Sequence, residues 1–241
     1  MNNMSFRNLL GRRYISIEKY IVCEKIRSGP ILYLNPKNFR DVVQQFQNGK
    51  EFYFYVDGYW FSKILNFSMG WERFIVPECF DFSGNASILI DLLVDQKKKV
   101  LFCGGDAQEI VQFEKFVKGK YNIALAVFEH GYQTIDSLME VVKAEAIEIV
   151  VCSLGTGKQE EFGFMCLRKT ITCGAFISQT ARSGERFYPK WAIRLKLRFA
   201  YRCLTSRRHL LVSLRGYFVS ALTIVELLIF GKLVVGTKNV P

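Results

Sequence analysis

The 241-residue sequence predicts an α/β fold: a Rossmann-like, mainly parallel sheet with helices on both faces, extended by a basic helical C-terminal appendage. Three observations lead there. Short β-branched and aromatic runs recur without apolar–polar alternation, as strands buried on both faces require. Each run stops at a glycine or proline and leads into a stretch of helical character, the grammar of βα units. The charge is also divided unevenly. Residues 186–241 hold eleven Lys or Arg against the single acid Glu226, while residues 1–185 hold 22 basic and 21 acidic groups of the chain's net +11. We therefore expect a near-neutral core over 1–185 and a basic membrane-associating appendage over 186–241.

The first strand is ILYLN at 31–35, ended by Pro36, and a helix follows over about 38–47. EFYFYV at 51–56 is an aromatic strand that runs into Asp57 and Gly58. If that strand is interior, its terminal carboxylate faces the ligand crevice, which makes Asp57 the first candidate for chemistry. An N-cap for the next helix is its other reading. Residues 68–91 have irregular character, with Arg73 and Asp81 among aromatics, and fit either a loop closing over a ligand or a surface excursion.

KVLFC at 99–103 is a strand that meets Gly104, Gly105 and Asp106 before a helix over about 107–117. The strand at 123–128 leads to His130, Gly131 and Tyr132, and a histidine beside a glycine at a strand end is placed to line a pocket. After a helix at 135–144, the run 149–152 breaks at Gly155 and Gly157, and Lys158, Gln159, Glu160 and Glu161 open a helix. Amides at such a turn favour anionic groups, so a phosphorylated ligand is expected. GTGK here is not a Walker A loop. Cys152 stands where the first glycine is needed and Gln159 where a Ser or Thr would reach magnesium. TITCGAF at 170–176 is the last expected strand.

The seven cysteines form no CxxC pair, so buried reduced thiols in the cytosol are expected, with no metal site. Arg7, Arg12 and Arg13 are not followed by an apolar run, so no cleaved signal peptide is expected. In the tail Lys190, Arg194, Arg198 and Arg202 recur every four residues, one position before Trp191, Leu195 and Phe199. On one helix these make adjacent cationic and apolar stripes, suited to an anionic membrane rather than to nucleic acid. Residues 216–231 are apolar but would reach roughly 24 Å as helix against a hydrocarbon core of about 30 Å, so a helix lying in or against the membrane is expected.

With these motifs in hand, the chain resembles the WecG/TagA/CpsF family of bacterial glycosyltransferases over roughly residues 30–215. The resemblance rests on SLGTGKQEEF at 153–162, VDG at 56–58, ER at 72–73, FCGG at 102–105, HGY at 130–132, GAF at 174–176, YPKW at 188–191 and YR at 201–202. It implies inverting transfer of an N-acetylmannosamine-type or related sugar from a UDP donor to a polyprenyl-diphosphate-linked acceptor, in the making of capsule or exopolysaccharide. No cofactor and no essential metal are implied. By similarity Asp57 matches the base, and Arg73 and Gln159 match active-site positions. Asn35, Gly104, Gly105, His130, Gly131, Tyr132, Gly155, Thr156, Gly157, Lys158 and Glu160 are the substrate-binding candidates. Arg202, Arg207 and Arg208 would meet the lipid diphosphate, at the inner face of the plasma membrane.

The chain departs from the family pattern at Tyr33, where a threonine is usual, at Gly157, where a proline is usual, and at Ser178, where an acid is usual. These departures bear on the donor sugar more than on the reaction type. Two other classes remain at this point. A Rossmann oxidoreductase would need a GxGxxG turn, which is absent, and a catalytically lapsed nucleotide-sugar-binding module would retain the pocket alone.

Overall fold

A computed structural model describes residues 10–26, 28–69, 75–205 and 207–230, leaving out the side chains of 199, 202, 203, 205 and 207–209. Six strands, β1 (Gly29–Leu34), β2 (Tyr53–Val56), β3 (Val100–Gly104), β4 (Ala126–Glu129), β5 (Ile149–Ser153) and β6 (Lys169–Thr172), form one sheet in the order β2-β1-β6-β5-β3-β4. Every pairing is parallel. Helix α1 (Ile17–Val22) precedes β1, and between strands lie helices α2 (Phe39–Gln47), α3 (Tyr59–Met69), α4 (Ala86–Asp95), α5 (Ala107–Lys120), α6 (Ile135–Ala144) and α7 (Lys158–Met165). After β6 come α8 (Phe176–Ser183), α9 (Lys190–Arg194), α10 (Arg198–Thr205) and α11 (Arg207–Phe230).

The absence of alternation in the strands is explained by which neighbour each residue meets. Successive side chains in a strand point to opposite faces. Ile31, Tyr55, Val100, Phe102, Ile149, Val151 and Ile171 join one core with α1, α4, α5 and α8. Their chain neighbours Leu32, Leu34, Phe54 and Val56 pack on α2, α3 and α11, while Leu101, Cys103, Val150 and Cys152 pack on α6 and α7. Both faces are covered, so both parities must be apolar. Cys103, Cys152, Cys166 and Cys173 are free and buried within these layers.

Several expectations need correction. The strand carrying Asp57 is not interior: β2 is the edge of the six, paired with β1 on one side and, among the described residues, met on the other by a bridge from Tyr14 to Phe54. The irregular stretch at 68–91 contains the start of α4, whose buried face is Ala86, Leu89, Ile90 and Leu93. The strand expected over 170–176 stops at Thr172, and Gly174 at φ +61° turns the chain into α8. The strand expected to open at 123 begins at Ala126.

The basic segment after 186 is not one striped helix. Lys196 at φ +59° ends α9, with Lys196 N donating to Ile193 O and Leu197 N to Ala192 O, the closure that stops a helix through a left-handed residue. Arg198, which opens the next helix, turns to Ser83 O and Asp81, so the four-residue charge rhythm does not make one surface. The apolar helix is also longer than expected. Leu210–Phe230 is long and apolar enough to cross a membrane, with a mean hydropathy of 1.6, yet it is one-third buried against the body. Its inner face carries Ser213, Gly216, Ser220 and Thr223 before Ile224 and Leu227. Ser220 Oγ donates to Pro36 O at 2.8 Å, and Arg40 pairs with Glu226 at 3.1 Å. Its outer face exposes Leu211, Leu214, Phe218, Leu222, Val225 and Ile229.

Candidate active site

A cleft of about 960 Å³ opens beyond the carboxyl ends of the strands. All six contribute to its wall: Asn35 after β1, Asp57 after β2, Gly105 after β3, Gly131 after β4, Gly155 after β5 and Gly174 after β6. Parallel strands bring their ends to one side of the sheet, which is why segments far apart in sequence share one crevice.

Asp57 continues the β2 pairing through Asp57 N to Leu34 O at 2.9 Å, and its side chain then turns into the cleft. It does not cap α3. Its Oδ2 accepts from the Tyr33 hydroxyl at 2.5 Å and its Oδ1 from the Cys79 thiol at 2.6 Å. Burial pushes the Cys79 thiol well above its usual value, and the neighbouring Asp57 and Asp81 charges add to this, so Cys79 stays protonated and donates. Behind it Arg198, from α10, contacts Ser83 O at 3.2 Å and Asp81 Oδ2 at 3.5 Å. Burial opposes the guanidinium charge, but the Asp81 and Asp57 carboxylates are among the acidic groups that hold it above its ordinary range. A carboxylate partly removed from water thus has a fixed countercharge nearby.

The opposite wall is backbone. Gly131 N donates to Gly105 O at 2.8 Å, and a Cβ on Gly131 would stand 3.1 Å from Gly104 Cα. Gly104 itself lies so close to β5 that a Cβ would fall 2.5 Å from Ser153 O. Lys158 Nζ donates to Gly131 O at 2.7 Å and to Gln133 O at 2.5 Å, tying the loop after β5 to the loop after β4. Glu160 accepts from Gly157 N at 2.6 Å and from Asn38 Nδ2 at 3.0 Å, which fixes the glycine turn against the end of β1. Asn38 is 1% exposed and also donates to Tyr33 O at 2.6 Å.

On the α5 and α8 side, Glu109 accepts from Ser178 Oγ at 2.7 Å, from Asp106 N at 3.1 Å and from Arg182 at 2.6 Å. Burial raises its carboxyl, but Ser178, the Asp106 amide and Arg182 outweigh it, and the net displacement is below the ordinary glutamate value. Ser178, where the resemblance leads one to expect an acid, is thus hydrogen-bonded to a carboxylate reaching over from another helix. The appendage completes the cleft with Ile193, Lys196, Arg198, Ser213 and Tyr217.

Of the sequence-derived candidates, Asp57, Asn35, Gly105, Gly131, Tyr132, Gly155 and Thr156 line one cleft. Gly104, Gly157, Lys158 and Glu160 stand behind it as the framework of its backbone wall. Gln159 is 1% exposed beneath the turn, donating to Glu160, and its Oε1 has no hydrogen-bond partner among the described residues. His130 is half-buried outside the lining, with Nδ1 likewise unpartnered among the described residues. Arg73 and the side chains of Arg202, Arg207 and Arg208 lie outside the described residues.

Sequence reasoning did not single out Tyr33, Cys79, Glu109, Arg182 or Lys196 as site residues, and assigned Arg198 to a membrane stripe. Tyr33 was legible as a departure from a family pattern; the others carry no local signal. Among the described residues no three His, Cys, Asp or Glu side chains converge as a metal centre.

The family model "Glycosyl transferase WecG/TagA/CpsF family" matches residues 78–232, well over half of the chain. A UDP-Gal:alpha-D-GlcNAc-diphosphoundecaprenol beta-1,4-galactosyltransferase of Shigella boydii is 28% identical over 184 residues, spanning 73% of this chain and 76% of that relative. The family match covers β3 to β6 and most of the appendage, whereas Asp57 precedes it and rests on the geometry of the cleft. With a doubly covered parallel sheet, a glycine-walled crevice and this match, the chain belongs to the WecG/TagA/CpsF family of glycosyl transferases.

Proposed function

We propose that the protein transfers a sugar with inversion from a UDP-sugar to a polyprenyl-diphosphate-linked saccharide. The observation that carries this reading is the Asp57 carboxylate standing in the same cleft as the glycine turn after β5. The acceptor hydroxyl attacks the anomeric carbon while Asp57 takes its proton. The bond to the β-phosphate oxygen breaks and its electron pair leaves with UDP. The backbone amides around Gly105, Gly155 and Thr156, with Arg182 and Lys196 on the rim, face the developing diphosphate charge. The reading needs no metal, and the sequence has no DxD motif. Inversion is supported by the relative's name, since a beta linkage made from UDP-Gal, an α-linked donor, reverses the anomeric centre. That name speaks for a UDP-galactose donor, and the sequence resemblance for an N-acetylmannosamine-type donor; both belong in the assay.

The protein works from the cytoplasmic face of the membrane, docked through its appendage. A helix that turns Ser213, Gly216, Ser220 and Thr223 inward and large apolar side chains outward has its hydrophobic face where lipid would be. Because its inner face is bonded to the body through Pro36 and Arg40, the helix lies in the interface rather than spanning it. Arg202, Arg207 and Arg208 are the proposed contacts to the lipid diphosphate. Arg73 is proposed as a further active-site cation, and Gln159 as an active-site residue acting from beneath the turn.

The test is transfer from UDP-galactose and UDP-N-acetylmannosamine to a GlcNAc-diphosphopolyprenol, with Asp57→Asn. General-base help is worth about a hundredfold to ten-thousandfold, and the variant should lose rate in that range. A variant that retains the wild-type rate removes Asp57 as base.

A further inference from the structure

The Asp57 carboxylate is held from two sides by groups that no motif marks. Tyr33 reaches it from the neighbouring strand, and its own ring is confined between Tyr55, at a centroid distance of 5.8 Å, and Gly174, where a Cβ would lie 3.3 Å from the ring. The Tyr33 amide donates to Thr172 Oγ1 at 2.6 Å, and Tyr55 OH donates to Thr172 O at 2.7 Å, so β1, β2 and β6 fix the phenol together. Cys79 comes from the segment crossing the mouth of β2, which is itself anchored by Glu78 N to Val56 O at 2.9 Å and by Glu78 Oε2 accepting from Ile17 N at 2.9 Å. Neither donor is free to swing.

We propose that Tyr33 and Cys79 are positioning residues that clamp Asp57, fixing its aim at the acceptor hydroxyl through two donated hydrogen bonds. The proposal rests on Asp57 being the base. Each carboxylate oxygen has about two acceptor sites, so one bond to each leaves capacity for the incoming hydroxyl. Tyr33 and Cys79 thus hold the carboxylate by direct contact, while Arg198, paired with Asp81, stands behind Cys79 as a countercharge.

The experiment compares Tyr33→Phe, Cys79→Ala and Cys79→Ser in the full-length protein with two readouts. The first is the carboxyl-13C resonance of Asp57 at neutral pH, assigned by its loss in Asp57→Asn, which reports the hydrogen bonds the carboxylate accepts. The second is the split between kcat and KM. Loss of one donor should move the Asp57 resonance and lower kcat about tenfold while KM stays within about twofold, the size of one hydrogen bond to a charged group. Cys79→Ser, which keeps a hydroxyl donor, should return both toward wild type. The clamp is overturned if the Asp57 resonance is unmoved in both Tyr33→Phe and Cys79→Ala. That resonance needs no substrate and is read on folded protein. It therefore decides the clamp even if Asp57→Asn proves active and the base assignment fails.

Discussion

The closest backbone approach in the site gives a prediction that can be worked from distances. Gly104 and Ser153 are register partners on β3 and β5, and a Cβ at Gly104 would fall 2.5 Å from Ser153 O and 2.6 Å from Ser153 Cβ. The obstacle is backbone in a sheet buried on both faces, so it cannot swing aside as a side chain would. Overpacking of this kind costs about 1–3 kcal/mol, and the φ of +152° adds roughly 1 kcal/mol for a residue with a side chain. We therefore expect Gly104→Ala to lose about 3 kcal/mol, which lowers Tm by roughly 6–12 °C in a chain of this size. Gly155→Ala is the control. It shares a left-handed φ, +82°, but nothing lies within 4 Å of its Cβ, so only the backbone cost of about 1 kcal/mol and a fall of roughly 2–4 °C should follow. Thermal unfolding by circular dichroism reads both. Equal shifts in the two variants, or a Gly104→Ala Tm within 2 °C of wild type, would refute the steric argument.

Two further outcomes follow from the same geometry. The folded Glu109 carboxyl lies below its ordinary value near 4.5, so its stabilising contribution is complete above that value and is lost as pH falls through the lowered one; the Tm gap between wild type and Glu109→Gln should be widest at neutral pH and narrow only once pH falls below 4.5. Replacing Phe218 and Leu222 on the outer face of α11 by Glu removes two exposed apolar side chains, each worth about 1.5–3 kcal/mol when buried. Flotation with anionic liposomes should then fall at least tenfold while Tm holds, and unchanged flotation would exclude that face from the membrane.

Much of the layered architecture could be read locally. Runs such as Ile149 to Cys152, apolar at both parities, required a strand covered on both sides, and the glycine breaks after 99–103 and after 123–128 led to helices that the structure places at Ala107–Lys120 and Ile135–Ala144. The glycine turn after β5 was visible because φ values of +82° and +92° demand glycine whatever surrounds them. The start of α4 was missed because its approach through Gly84 and Asn85 looks irregular, and only its packing on the sheet secures it. The tail misled for a related reason. A four-residue charge rhythm assumes an unbroken helix, and the left-handed turn at Lys196 sends Arg198 to Asp81 instead of to a membrane.

What the sequence determined alone was the set of βα units, the glycine turn, the separated basic tail and the carboxylate at the end of one strand. Each of those signals acts within a few residues, through backbone dihedrals, capping or side-chain period. The tertiary structure decided that this strand lies at the edge, that Tyr33 and Cys79 contact Asp57, and that Glu109 reaches Ser178 from another helix. It also turned the appendage inward to close the cleft. Strand order and the meeting of side chains dozens of residues apart are set by how whole layers pack, and no local pattern of residue types carries that information.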